Sequence, residues 1–469
     1  MRSRPALVVS VLAACGLAVS LMQTLVVPLL PRFPQLLGAS PSTVTWLVTA
    51  TLVAGAVCAP MLGRLGDMYG KRRMLVIALA LVTAGSALGA VAPDVGTLIV
   101  ARALQGASLG VIPLGISVMR DVLPEGRVGS GVALMSSSLG IGGAIGLPLT
   151  GIVAEQASWR WLFGGAAVLG ALLVVGVLRW VDESPVRAGG RFDLPGAVGL
   201  AVALVCLLLA ISKGTEWGAL TAFALLGASV VVFGFWGRFE LRSRSPMVDL
   251  RVSVRPAVLW TNVASVLIGF AMFAGFLVTT QVLQAPVATG YGFGLSLVLA
   301  GLVLLPIGGA MGVFSPVSAR LSARFGARTT LLLGTSVLIV GNAGMAAIPG
   351  TVVLIMIATT VSAIGAALAY SALPLLIMDA VPATETAAAN SLNALMRMLG
   401  TSSCSAVAAA VVTAMTQEVG GRTLPSASAY TVVFLAAAGA ALLATLITAA
   451  TPRRSAARSA PVAEVYAAR

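Results

Sequence analysis

Long uncharged apolar runs alternate with short polar or glycine-rich breaks along almost the whole chain. Runs of about 20 residues are what an α-helix needs to cross a bilayer. They are continuous rather than alternating, which sets aside the strands of a membrane barrel. Fourteen spans are predicted, near 6–30, 44–62, 74–92, 95–118, 128–153, 160–180, 195–212, 218–237, 257–280, 295–317, 329–348, 351–378, 386–415 and 429–450. Two breaks lie inside longer apolar stretches. Pro256–Ala319 is too long for one helix and divides at Pro286 and Gly290-Tyr291-Gly292, and Thr329–Met378 divides at Pro349-Gly350.

Composition agrees. Of 469 residues, 58% are apolar and 9% charged, with a mean hydropathy of +1.02; a soluble domain carries about 25% charged residues. In lipid every backbone polar group must be satisfied internally, so spans of this kind are helices. The four cysteines, Cys15, Cys58, Cys206 and Cys404, fall in apolar runs and read as small core residues. Leu12-Ala13-Ala14-Cys15 has the form of a lipoprotein cleavage box, but the apolar run continues to Pro31, so a retained first span is expected.

The net charge is +14. Its placement points to membrane orientation rather than nucleic acid. Before the first span, and in every second loop after it through to the tail, stand 23 basic residues. The other side holds 4, namely Arg32, Arg160, Lys213 and Arg422, and Arg102 and Arg397 lie within spans. Positive residues are retained on the cytoplasmic side, so both termini are expected there, in a plasma-membrane protein. Six tryptophans, Trp46, Trp159, Trp161, Trp180, Trp217 and Trp236, sit near predicted span ends, where an interfacial belt belongs.

Between spans 2 and 3 runs Gly63–Arg73, GRLGDMYGKRR, which predicts a tight loop with Asp67 set among Arg64, Lys71, Arg72 and Arg73. Ala319–Arg328, ARLSARFGAR, repeats it at an offset of 256, with Ala323 in place of Asp67. That register makes spans 1–6 and 9–14 two equivalent halves and spans 7 and 8 an insertion.

Enzyme chemistry finds no support. There is no histidine, hence no histidine-based triad or zinc site, and no P-loop. Gly106-Ala107-Ser108-Leu109-Gly110 has the outline of a nucleophile elbow but lies inside a span, where small residues serve close helix packing. No cofactor or metal is expected.

Gly63-x-x-x-Asp67-x-x-Gly70-Lys71-Arg72 resembles the signature loop of the major facilitator superfamily, with Met68 where that family usually has a basic residue. Arg102–Gly110 is similar to the family's fourth-helix motif, and Gly140–Gly151 to its antiporter motif, with Leu147 where glycine commonly precedes the proline. Trp159–Phe163, Arg191–Gly196 and Asn390–Gly400 resemble the fourteen-span drug/proton antiporter branch.

The resemblance implies an all-α major facilitator fold: a six-helix bundle over 1–180, a linker with two further helices over 181–256, a second bundle over 257–450, and a disordered cytoplasmic tail over 451–469. It implies a cytoplasmic gate from Gly63, Asp67, Gly70, Lys71, Arg72, Arg120 and Asp121, a helix-5 hinge at Gly142, Gly146, Pro148 and Gly151, and proton coupling through Arg102, with Glu155 a weaker second. Polar residues expected to face a central cavity are Gln23, Thr24, Gln105, Asn262, Gln281, Gln284, Tyr370, Asn390, Asn393 and Arg397; each has the plainer alternative of bridging helices. The branch usually carries an aspartate early in span 1, where this chain has Met22, and no acid lies near the centre of any predicted span. Neutral or anionic substrates therefore fit better than cations.

The function implied is proton-coupled export of a hydrophobic small molecule by alternating access, by a monomer whose partners are its substrate, protons and lipid. The alternatives are export of an endogenous metabolite or lipid, and a non-transporting receptor or scaffold.

Overall fold

The computed structural model describes residues 5–26, 29–30, 32–243, 245–348 and 350–451; the predicted tail from Pro452 lies outside them. Among the described residues, fourteen helices are long and apolar enough to cross a membrane. In chain order they are α1 (Pro5–Thr24), α2 (Pro41–Tyr69), α3 (Lys71–Ala90), α4 (Val95–Val122), α5 (Glu125–Gln156), α6 (Arg160–Trp180), α7 (Leu194–Trp217), α8 (Ala219–Glu240), α9 (Pro256–Gln284), α10 (Leu297–Phe325), α11 (Ala327–Ala346), α12 (Val352–Ala380), α13 (Thr386–Ala414) and α14 (Ala427–Ala450).

Helices α1–α6 form one bundle and α9–α14 the other, each with an apolar core, and one cluster of the first bundle also takes in Met378 and Ala387 of the second. The inserted pair α7–α8 packs outside them. Its α7 lies along the seam between α2 and α13, in an apolar cluster that includes Ala56, Leu200, Leu204 and Leu395.

Two expectations about boundaries are corrected. Span 1, predicted to run to residue 30, ends as a helix at Thr24, and a short helix Phe33–Leu37 follows. The predicted loop from Gly63 is mostly helix: α2 continues through Tyr69 and α3 begins at Lys71, so Gly70 alone breaks the path. Gly70 has φ +119°, a region that L side chains rarely adopt. The predicted break at Pro286 and Gly290 is present, as a 3₁₀ turn over Val287–Thr289.

The internal repeat is visible in local geometry. Ser40 caps α2 by accepting from the Thr43 amide, and Ser296, 256 residues later, caps α10 by accepting from the Leu299 amide. Gly326 breaks the chain between α10 and α11 with φ +86°, as Gly70 does between α2 and α3. Arg72 donates to the Leu178 carbonyl in the last turn of α6, and Arg328 donates to the Thr448 and Ala449 carbonyls in the last turn of α14. Each arginine satisfies carbonyls that a helix end leaves open.

An antiparallel hairpin, β1 (Thr416–Val419) and β2 (Arg422–Pro425), joins α13 to α14. Gly420 and Gly421 supply the two positive φ angles that a two-residue turn requires. Tyr291, between α9 and α10, donates to the Pro425 carbonyl and packs edge-on against Tyr430. Partial burial pushes the Tyr291 phenol above its ordinary range.

Candidate functional site

The densest polar network joins the two bundles at the end that carries the basic loops. Asp67 is fully buried on the last turns of α2. Its Oδ1 accepts from the Ala387 amide at 3.1 Å and its Oδ2 from the Ala388 amide at 2.8 Å. These amides open α13, where the first N–H groups of a helix have no partner within it and the helix dipole is positive. An acid from the first bundle thus caps a helix of the second.

Gly63 explains why the approach is possible. It stands one turn before Asp67 on the same helix, and a Cβ there would meet Ser391 Oγ at 2.4 Å and the Ala387 carbonyl at 2.7 Å. Lys71 completes the contact. Its Nζ lies 2.6 Å from Asp121 Oδ2, 3.2 Å from Thr386 Oγ1 and 3.8 Å from Asp67 Oδ1. Ser184 donates to the same Asp121 oxygen at 2.5 Å.

Gly63, Asp67, Lys71 and Asp121 of the predicted gate therefore meet at one place. Arg72 does not join them, because its guanidinium turns to α6 within the first bundle. Arg120 Nη1 is buried with no hydrogen-bond partner among the described residues. Gly70 lies beside Glu183, whose carboxylate accepts from the Arg72 and Arg73 amides at 3.0 and 3.2 Å. Glu183 and Ser184 were not singled out from the sequence, since loop residues after a span carry no periodicity that marks them.

Arg102 is buried in the first bundle, where α4 turns from α-helix to a 3₁₀ stretch over Gly106–Gly110. Three oxygens take its N–H groups: Leu47 O at 3.1 Å, Met22 O at 3.2 Å and Gln105 Oε1 at 2.6 Å. The Met22 carbonyl is free because α1 ends at Thr24 and leaves its last carbonyls without helical partners. Gln105 in turn donates to Ser86 Oγ at 2.8 Å. Gly106 packs against the α2 backbone, so the elbow-like stretch serves close packing.

A second cluster lies in the other bundle. Asn393 Nδ2 donates to Asn262 Oδ1 at 2.9 Å and to Ser265 Oγ at 2.7 Å, and its Oδ1 accepts from Arg397 Nη1 at 2.5 Å. The Arg397 guanidinium lies 5.3 Å from the Tyr370 ring centroid. Ser136 on α5 donates to the Tyr370 carbonyl at 3.1 Å, so this cluster borders the seam between bundles. Among the described residues no hydrogen bond links the clusters of Arg102 and Arg397.

The glycines of α5 divide between two neighbours. Gly142 and Gly146 face Ser20 and Thr24 of α1, within the first bundle. Gly140, Pro148 and Gly151 face Met311, Gly301 and Val298 of α10, across the seam. The predicted hinge residues thus form two stripes, and Pro148 lies inside a continuous helix.

The other predicted cavity residues do not gather. Gln281 is exposed near the end of α9, which corrects its expected inward placement. Gln284 donates to its own helix at Thr280 O. Thr24 donates to the Leu21 carbonyl, and Gln23 Nε2 is buried without a partner. Asn390 donates to Thr386 O while its Oδ1 is left unpaired. The side chain of Glu155 lies outside the described residues. A cavity of about 400 Å³ opens at the basic end of the second bundle, lined in part by Trp260, Arg328, Asp379 and Thr448, and none of the predicted cavity residues lines it.

Comparison with known proteins agrees with this architecture. Residues 12–405 match the family model described as Major Facilitator Superfamily. The chain is 26% identical over 418 residues to Multidrug resistance protein Stp of Mycobacterium tuberculosis (strain CDC 1551 / Oshkosh), covering 88% of this chain and 77% of that one. It is 29% identical over 338 residues to the Tetracenomycin C resistance and export protein of Streptomyces glaucescens, covering 71% and 62%. To the puromycin resistance protein pur8 of Streptomyces alboniger it is 30% identical over 340 residues, covering 72% and 66%. Among solved structures, the human organic anion transporter MFSD10 (TETRAN) superposes with a TM-score of 0.68 at 17% identity, covering 95% of this chain and 99% of that one. The proton:xylose symporter XylE gives 0.64 at 15%, covering 94% of each. At these identities the two structures speak for the fold alone.

Proposed function

The chain belongs to the major facilitator superfamily, and we propose that it exports a hydrophobic small molecule, a drug, antibiotic or secondary metabolite, by proton-coupled alternating access. The observation that carries this reading is the capping of α13 by Asp67. It is a charge-assisted contact between the two bundles at the basic end, and alternating access requires that it form in one conformer and break in the other. Such a contact is what a rocking transporter needs and what a static scaffold has no use for.

Export, and not uptake, is supported by the small-residue stripes of α5 and by the resistance proteins among the relatives. Proton coupling is supported by Asp67. It is a buried carboxylate on the bundle interface, and its protonation would weaken the hold on the α13 amides. The basic end is then cytoplasmic, by the charge asymmetry of the loops. The proposed division into 1–180, 181–256 and 257–450 is supported by the largest apolar cluster, which lies mainly in the second bundle, and by the pairing of α7 with α8.

The test is flux in inverted vesicles made from cells expressing the chain. Compound-dependent proton efflux from vesicles preloaded with acid supports antiport. Drug accumulation that a protonophore leaves untouched rejects the coupling but keeps the exporter. Saturable binding with no flux for any of a wide drug panel rejects transport in favour of a receptor.

A further inference from the structure

We propose that Arg397, with Tyr370 and Asn393, forms an anion subsite at mid-membrane depth, so that the cargo of this transporter carries an acidic group such as a carboxylate or phenolate. The inference rests on the transport reading only in taking the seam between the bundles as the cargo's path.

Depth comes first. Arg397 is 11 residues after the start of α13 at Thr386, which is roughly 16 Å at about 1.5 Å per residue. The 29 residues of α13 reach roughly 43 Å, so with the helix centred on a hydrocarbon core of about 30 Å Arg397 lies about 5 Å short of the midplane. A cation there needs a partner or a polar cavity.

The structure supplies neither an acid nor a full set of acceptors. The salt bridges among the described residues are Lys71 with Asp67 and Asp121, and Lys213 with Glu216; Arg397 makes none. Its one side-chain hydrogen bond among the described residues goes to Asn393 Oδ1. Arg102 offers the contrast: it is 3% exposed and three oxygens take its N–H groups. Arg102 is sealed into its bundle, whereas Arg397 keeps part of its surface accessible and donors to spare.

Its surroundings hold it in place without neutralising it. Asn393 is fixed from behind by Asn262 and Ser265 on α9. The Tyr370 ring covers one side of the guanidinium, a placement that favours the cation and leaves its in-plane N–H groups free for a planar acid. The Tyr370 backbone is tied to Ser136 of the first bundle, so the pair sits where the bundles part. In the first bundle Met22 lends its backbone carbonyl to Arg102. Among the described residues the acids of the spanning helices, Asp67, Asp121, Glu216, Glu240 and Asp379, stand in the last turns of their helices, whereas Arg397 stands in the body of α13, so the seam there is a poor host for cations and a ready one for an anion.

The test uses three probes that share one fluorophore: N-dansylglycine as the anion, dansylamide as the neutral compound and dansylcholine as the cation. Binding is read by fluorescence on the full chain in lipid nanodiscs, with empty nanodiscs subtracted. The expected result is saturable binding of N-dansylglycine at least tenfold tighter than of dansylcholine. Arg397→Gln should weaken the anion at least tenfold while leaving dansylamide within twofold, and Arg397→Lys should restore most of the loss, which separates charge recognition from misfolding. Equal or tighter binding of the cation overturns the proposal. So does unchanged anion affinity in Arg397→Gln, or saturable binding of none of the three. Anion binding with no flux in inverted vesicles upholds the subsite and defeats the transport reading instead.

Discussion

The Ala388 amide donates to Asp67 Oδ2 at 2.8 Å across 321 residues of chain. With its neighbour from Ala387, this hydrogen bond fastens the second helix to the thirteenth. Hydrogen bonds to a charged group contribute about 1.5–3 kcal/mol, enough to shift a two-state balance by roughly 10- to 150-fold.

Asp67→Lys should therefore abolish transport while leaving membrane insertion intact, and Asp67→Asn should leave a partial activity. Spin labels at Tyr69→Cys and Thr384→Cys, both on exposed positions, should show the basic end closed in the parent and widened in Asp67→Lys. Normal transport by the lysine variant would reject the gate.

Gly63→Ala should impair transport through packing alone. The added Cβ meets the Ala387 carbonyl, a backbone atom, so removing the other obstacle with Ser391→Ala should give no rescue. Gly126→Ala is the control, because a Cβ there meets nothing within 4 Å. Transport rates measured side by side decide it, and equal rates for the Gly63 and Gly126 variants would refute the close approach.

Arg102→Ala should lower both thermal stability and transport, by about 2–4 kcal/mol in stability, because it leaves buried acceptors on Leu47, Met22 and Gln105 without donors. Arg102→Lys keeps the charge but not the planar fork, so an intermediate loss is expected. Melting in detergent and drug efflux, measured together, would show whether stability and flux fall in step.

Along the seam of α5 and α10 a graded series is expected. At Gly301 an added Cβ would lie 3.4 Å from Pro148, so alanine is tolerated. Gly308→Ala should cost more, since its Cβ would lie 2.6 Å from that of Ala144. Gly140→Val should be worst, wedging against Met311. A flat series in melting temperature would mean the seam is looser than its geometry.

Much of this was legible in the residues. Spans show as apolar runs because a helix in lipid must be apolar for its whole buried length. Helix ends were less legible. The α2 helix runs on through Arg64 and Asp67, because a charged residue does not stop a helix once it has left the hydrocarbon. The motif pointed to Asp67, but its partners are backbone amides, and an amide leaves no mark in a sequence. Gln281 misled for the opposite reason: a polar residue in an apolar run suggests a cavity, yet near a helix end it can face outward. The pairing of Arg397 with Tyr370 depends on which faces of α12 and α13 meet, and no spacing within either helix encodes that.

The repeat is unequal in one respect that bears on motion. Where the first half has Asp67, the second has Ala323, which can fasten nothing. One junction between the halves is thus a clasp of charge and the other, between α5 and α10, a greased slide of glycine and methionine. Under the rocking motion proposed above, the halves are expected to part unevenly, unbuttoning along one edge and pivoting on the other, like a book whose spine is α5 against α10.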